Sequence, residues 1–138
     1  MAGQKREESF GMTAGTAEPP RIKVLVVSEP GFAGVKRHVV EMLSHLDLSR
    51  FEVCFVYSLI RKDELFLSDI DRLFERGIHC REVPMGRSIH PWNDFVALLR
   101  IARIIAEFKP DIVHGHSSKA GFLARVAARL VRPGARTL

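Results

Sequence analysis

Hydrophobic positions along the chain fall into short β-branched runs separated by stretches with helical spacing. Ile22 to Val27 (IKVLVV) has the run expected of a parallel strand buried on both faces. Gly31 and Gly34 mark a turn, and Val35, Val39, Met42, Leu43 and Leu46 then recur at the spacing of one helix face. Phe51 to Tyr57 (FEVCFVY) predicts a second strand. Phe66, Ile70, Leu73 and Phe74 predict a second helix, closed by Gly77 at the position after its last turn. Ile78 to Val83 is a third, less apolar strand. Pro91 then suits the first turn of a long helix whose inner face is expected to hold Phe95, Leu98, Leu99, Ala102 and Ile105. Arg100, Arg103 and Glu107 form its polar stripe, and Lys109-Pro110 stops it. Asp111 to His114 predicts a short fourth strand, followed by a helix capped by Ser117 or Ser118, with Phe122, Val126, Ala127 and Leu130 facing inward. Arg125, Arg129 and Arg132 fall on its other side. Pro133-Gly134 turns the chain into Ala135 to Leu138, the opening of a fifth strand.

Strands alternating with helices of this length imply βαβ units. The expected fold class is therefore α/β, a Rossmann-like parallel sheet with helices on both faces. Residues 21–138 make one such domain, incomplete at its C-terminal end. Residues 1–20 read as a flexible tail ending at Pro19-Pro20, without the apolar segment of a secretory signal.

Composition narrows the partners. Apolar residues are 46% and charged residues 27% of the 138, ordinary for a globular domain. The apolar stretch from Phe95 to Phe108 is interrupted by Arg100, Arg103 and Glu107, so no segment approaches the ~18 uncharged residues of a membrane span. Cys54 and Cys80 both lie in strands and read as buried free thiols of a reducing, cytoplasmic compartment. The net charge of +5 favours an anionic partner. Trp92 and Tyr57 sit in no basic cluster, which sets nucleic acid aside. Lys36, Arg37, Arg100 and Arg103 are the residues expected to meet an anionic membrane surface, or else to form solvated helix faces.

In an open α/β sheet a ligand binds beyond the carboxyl ends of the strands, where the strand order reverses. Two loops carry suitable chemistry. Ser28 to Lys36 (SEPGFAGVK) follows the first strand, and its glycines allow an anion to approach the backbone at a helix N-terminus. It matches neither G-x-G-x-x-G nor the Gly-Lys-Ser/Thr phosphate loop. Asp111 to Lys119 (DIVHGHSSK) follows the fourth strand and places Ser117, Ser118 and Lys119 at another helix start. His114 and His116 flank Gly115 and are expected to point to opposite sides, one toward a ligand and one into packing. Split in this way, and with no carboxylate or cysteine pair at zinc-ligand spacing, they give no metal site. No G-x-S-x-G nucleophile elbow occurs.

At these two loops the chain resembles the GT-B-fold retaining glycosyltransferases of the bacterial polysaccharide and lipopolysaccharide type. The resemblance is carried by IKVLVVSEPGFAGVKRHVVEML and, more specifically, by PDIVHGHSSKAGFLARVAARL from Pro110 to Leu130. It covers Ile22 to Leu138 and implies the N-terminal, acceptor-side domain of a two-domain enzyme, with the donor-binding C-terminal domain missing. It implies a nucleotide-sugar donor, a glycan or lipid-linked acceptor and no further cofactor. It also implies that Gly31, Phe32, Ala33 and Gly34 face the donor diphosphate and that His116 is the catalytic residue, near the transferred sugar or its phosphate. Ser117, Ser118 and Lys119 join them at the donor. The alternative is a non-catalytic, stand-alone Rossmann-like binding module. A response-regulator reading fails, because Glu29 stands alone and strand three ends in Val83-Pro84.

Overall fold

The computed structural model describes residues 18–138. Most of the expected tail thus lies outside the described residues, and Glu18 to Pro20 are exposed and join no helix or strand. The elements run β1 (Ile22–Ser28), α1 (Ala33–His45), β2 (Phe51–Tyr57), α2 (Phe66–Glu75), β3 (His79–Glu82), α3 (Pro91–Phe108), β4 (Ile112–His116), α4 (Ser118–Val131) and β5 (Arg136–Thr137). Every strand pairing is parallel, in the order β3-β2-β1-β4-β5. The chain steps outward from β1 to β3, then returns to the other side of β1. That reversal puts the switch point between β1 and β4.

Successive residues of a strand face opposite sides of the sheet, and the two cores divide accordingly. Leu25, Val27, Cys54, Val56 and Val113 pack beneath α3 and α4. Val24, Val26, Val53 and Phe55 pack beneath α1 and α2. The apolar run of β1 is buried on both faces because each face has its own helical layer. Cys54 and Cys80 are both buried. Gly77 has φ 106° and ends α2 with Gly77 N–H donating to Phe74 and Ile78 N–H to Leu73. This left-handed closure is the one its sequence position predicts. Pro91 opens α3, and Lys109, left-handed at φ 55°, closes it.

Two helices are rotated relative to the expectation. The buried face of α3 is Ala97, Ile101, Ile104, Ile105 and Phe108, while Phe95 and Leu99 are exposed. In α4 the buried face is Ala120, Gly121, Leu123, Ala124, Ala127 and Ala128, leaving Phe122 and Leu130 outside. The cause is close approach: a helix carrying Gly and Ala can sit nearer a strand than one presenting Phe and Leu. A Cβ at Gly115 of β4 would lie 2.3 Å from the Gly121 Cα of α4.

Candidate functional site at the switch point

The β1–α1 loop is built by the loop after β2. Gly31 N–H donates to the Arg61 carbonyl at 2.7 Å, and Asp63 N–H donates to the Gly31 carbonyl at 2.9 Å. A Cβ on Gly31 would fall 2.5 Å from the Phe66 ring, so packing demands glycine there. Glu29, buried at the end of β1, is met by Arg61 Nη1 at 3.2 Å, and the same guanidinium lies 4.8 Å over the Phe32 ring. Phe32 is the N-cap residue of α1 and supplies no side-chain cap; Ala33 beside it has φ 55°. Gly34 has open space where a Cβ would stand. The N-terminus of α1 therefore has N–H groups without a side-chain cap.

Lys36 is committed elsewhere. Its ammonium lies 2.9 Å from Asp63 Oδ1 and 2.9 Å from Asp69 Oδ2, and Arg72 also binds Asp69. Burial works to lower the Lys36 pKa, but its hydrogen bonds to Asp69 and Asp63 outweigh that and raise it. The Lys36 hydrogen bond in turn holds Asp63 below the usual carboxylate range. A groove of about 720 Å³ runs between α1 and α2 past Gly34, Arg37, Arg72 and Arg76. It touches the first loop but neither His116 nor Ser117, so it is separate from the β1/β4 switch point.

On the β4 side, Ser117 has φ 89° and ψ 154°, a backbone conformation that side-chain-bearing residues rarely adopt. Its hydroxyl accepts from Ala120 N–H at 3.4 Å, which identifies Ser117 rather than Ser118 as the cap of α4. Ser118 begins the helix and is exposed. Lys119 turns away from the rim, donating to Asp94 Oδ1 at 2.7 Å and to the Ser88 carbonyl. Burial tends to raise the Asp94 carboxyl, but Lys119 and the His90 N–H hold it below its ordinary value.

The histidines do not divide between the faces. Residues two apart in a strand are one full pleat period apart and share a side, so His114 and His116 both face α1. Their ring centroids are 4.1 Å apart, and His38 of α1 meets His116 edge-on at 5.6 Å. Burial, reinforced by His114 and His38, lowers His116 from 6.5 to about 4; burial and His38 also lower His114. Both rings are neutral at neutral pH. At neutral pH His116 therefore offers a neutral donor or acceptor rather than a cation. Although three imidazoles converge, no group of three or more His, Cys, Asp or Glu among the described residues is placed to hold a metal ion.

Opposite His116 in the register is Ser28, the last residue of β1. Ser28 Oγ and His116 Nε2 are both buried, and neither has a hydrogen-bond partner among the described residues. Local sequence patterns had not singled out Ser28 or the Glu29–Arg61 pair. The partners are 88 and 32 residues apart, and only the strand order brings them together.

The fold has counterparts in known proteins. Residues 33–137 match the Glycosyl transferase 4-like domain. Over 101 residues the chain is 30% identical to the Escherichia coli UDP-Gal:alpha-D-GlcNAc-diphosphoundecaprenol alpha-1,3-galactosyltransferase, covering 73% of this chain and 24% of that protein. It thus spans about a quarter of that relative's length. Among solved structures, a glycosyltransferase from Rickettsia africae superposes with a TM-score of 0.62 at 18% identity, over 85% of this chain and 28% of its own. Acinetobacter baumannii MurG gives 0.60 at 15% identity, over 83% and 33%. These structures share the parallel, helix-covered sheet, and the family match supplies the rest: the chain belongs to the glycosyl transferase 4-like family, as an N-terminal domain of the GT-B type.

Proposed function

We propose that this domain is the acceptor-side half of a retaining glycosyltransferase, moving a sugar from a nucleotide-sugar donor to a polysaccharide or lipid-linked acceptor. It works with a donor-binding domain that closes over the switch point. The observation that carries this reading is the meeting, at the ends of the neighbouring strands β1 and β4, of an uncapped helix N-terminus with a half-buried, neutral histidine. As the bond from the sugar to the donor diphosphate breaks, negative charge grows on the leaving oxygen. Backbone N–H groups around Gly31, Phe32, Ala33 and Gly34, with the α1 dipole, can stabilise that charge without rearrangement. His116, lacking a charge of its own, hydrogen-bonds the transferred sugar, and the strained Ser117 sets the direction in which β4 delivers it. Ser118 adds a polar group at the α4 start. Lys119 positions this rim through Asp94, and it reaches a donor phosphate only if that ion pair opens. The family match disfavours a stand-alone binding module. The donor itself is the co-substrate, and this reading assigns no metal.

The same reading places the domain on the cytoplasmic side, in peripheral contact with an anionic membrane that holds the acceptor. No helix among the described residues is long and apolar enough to cross a membrane. Trp92, Phe95 and Leu99 lie exposed on one side of α3, with Arg100 and Arg103 along the same side. Lys36 and Arg37 belong to the other helical layer, and Lys36 is spent on Asp63 and Asp69. The contact is therefore assigned to α3 alone.

The test is His116→Ala in the intact transferase, assayed with UDP-galactose, the donor in the E. coli relative's name. Loss of at least ~100-fold in kcat, the scale of one transition-state hydrogen-bonding group, with the melting temperature retained, supports the assignment. Unchanged transfer overturns it.

A further inference from the structure

We propose that Ser28 is a ligand-contacting residue, forming with His116 a two-part hydrogen-bond site for a single hydroxyl of a pyranose ring. This rests on reading the switch point as the transferase site and names a residue and a chemistry that the family match does not supply.

Ser28 and His116 are register partners in neighbouring parallel strands, which lie about 4.8 Å apart. Both occupy the pleat positions that face α1, in line with Val24 and Val26 on β1 and Ile112 on β4. Ser28 is only 3% exposed. Its Oγ and His116 Nε2 are orphaned together, whereas buried polar atoms in native proteins are almost always paired. The rest of the rim obeys that rule. Glu29 binds Arg61, Ser58 Oγ bonds Met85 through both its N–H and its carbonyl, and the Ser117 hydroxyl caps α4. The two exceptions sit side by side, at the pair of strands where the topology places a ligand.

The chemistry of the pair selects the ligand group. A serine hydroxyl donates and accepts, and a neutral imidazole nitrogen does either according to tautomer. A sugar hydroxyl complements both at once. A phosphate oxygen offers acceptors only and carries charge, and the groups facing His116 are the imidazoles of His38 and His114, not a lysine or arginine. Phosphate belongs at the α1 N-terminus and hydroxyl at Ser28/His116. The hydroxyl can come from the transferred sugar or from the acceptor glycan.

The experiment compares Ser28→Ala, Ser28→Cys, His116→Ala and the Ser28→Ala/His116→Ala double variant of the intact transferase. Each is measured for melting temperature and for kcat/KM with UDP-galactose, with its monodeoxy analogues, and with monodeoxy acceptor glycosides. Ser28→Ala removes an unpartnered hydroxyl, so its melting temperature should hold or rise while kcat/KM falls at least ~10-fold. Ser28→Cys, which keeps the shape but bonds weakly, should show the same loss. The double variant should lose little more than the worse single variant, because one hydroxyl is read by both residues. One deoxy analogue should be used equally well by wild type and Ser28→Ala; whether it is a donor or an acceptor identifies the source. A lower melting temperature with kcat/KM kept within about twofold would mean that Ser28 is structural, and overturns the proposal. If His116→Ala cripples transfer while both Ser28 variants are normal, only the Ser28 role falls. If His116→Ala itself is normal, the whole site assignment falls with it.

Discussion

Three glycines near the rim differ in what an added side chain would meet, and substitution separates them. Gly115 admits α4: an alanine Cβ would meet Gly121 Cα at 2.3 Å, backbone that cannot swing aside. Gly115→Ala should cost about 1–3 kcal/mol, the range for overpacking, read as a lower denaturation midpoint. Gly34 has nothing within 4 Å of the missing Cβ and lies inside α1. Gly34→Ala should stabilise the domain by roughly 0.5–1 kcal/mol, the helical preference of alanine over glycine. If it nonetheless slows transfer by the intact enzyme, the open space serves a ligand; equal transfer would assign Gly34 to neither packing nor binding. Gly31, pressed on Phe66, belongs with Gly115. The sequence marks all three as loop or packing glycines without ranking them. The histidine pair shows the same limit in another form: its position at a strand end was legible, but its facing was misjudged because two residues make a whole pleat period. The register partner of His116, Ser28, is 88 residues away, and no local pattern reports it.

His116 also sets a pH dependence. Its folded-state pKa of about 4 lies below the ordinary 6.5, so below pH ~6.5 the unfolded chain takes up a proton that the native state refuses. Stability should be independent of this group above that pH and fall as the pH drops from about 6.5 toward 4, with His114 adding in the same direction. His116→Asn should flatten part of that decline in melting temperature. An identical slope in the variant would place the acid sensitivity elsewhere.

At the level of elements, the alternation of strands and helices was readable because β1 is a β-branched run and three helix ends carry clear signals: Gly77 after α2, Pro91 at the start of α3 and Ser117 before α4. The inner faces of α3 and α4 were less readable. Periodicity favours the largest apolar residues, yet Ala120, Ala124, Ala127 and Ala128 are buried while Phe122 and Leu130 are exposed. Tight strand–helix contact rewards small side chains, and that contact is not visible in one helix's spacing. A comparable long-range device joins α1 to α2. Lys36, with its side chain 12% exposed, bridges Asp63 and the buried Asp69. Lys36→Met should destabilise by about 2 kcal/mol, the order of leaving a buried hydrogen-bonding partner unmet. Adding Asp69→Asn should restore part of that loss in a double-mutant cycle. Independent, additive losses would show that the bridge contributes little to holding α1 against α2.

For the whole molecule, the consequence of those rotated faces is an outer surface unlike the rest. On α3, Trp92 is 68% exposed and stacks near Phe95, with Leu99 one turn on and Arg100 and Arg103 alongside. Aromatic and basic side chains on one helix face suit the headgroup region of an anionic bilayer. On the opposite layer, Lys36 is neutralised by carboxylates and the α1–α2 groove mixes both signs, so a net charge of +5 alone does not choose a face. Trp92 is the single tryptophan, which makes the distinction measurable. Vesicles containing phosphatidylglycerol should blue-shift its emission and co-sediment the protein, neutral phosphatidylcholine vesicles should bind it far less, and raised salt should weaken binding within the reach of screening. Phe95→Ser with Leu99→Ser should abolish co-sedimentation while leaving the melting temperature within a few degrees, since both side chains are already about half exposed. Arg37→Glu on the other layer should change neither. If Arg37→Glu released the protein and the α3 variant did not, the α1 layer would face the membrane and the switch point would be approached from the opposite side.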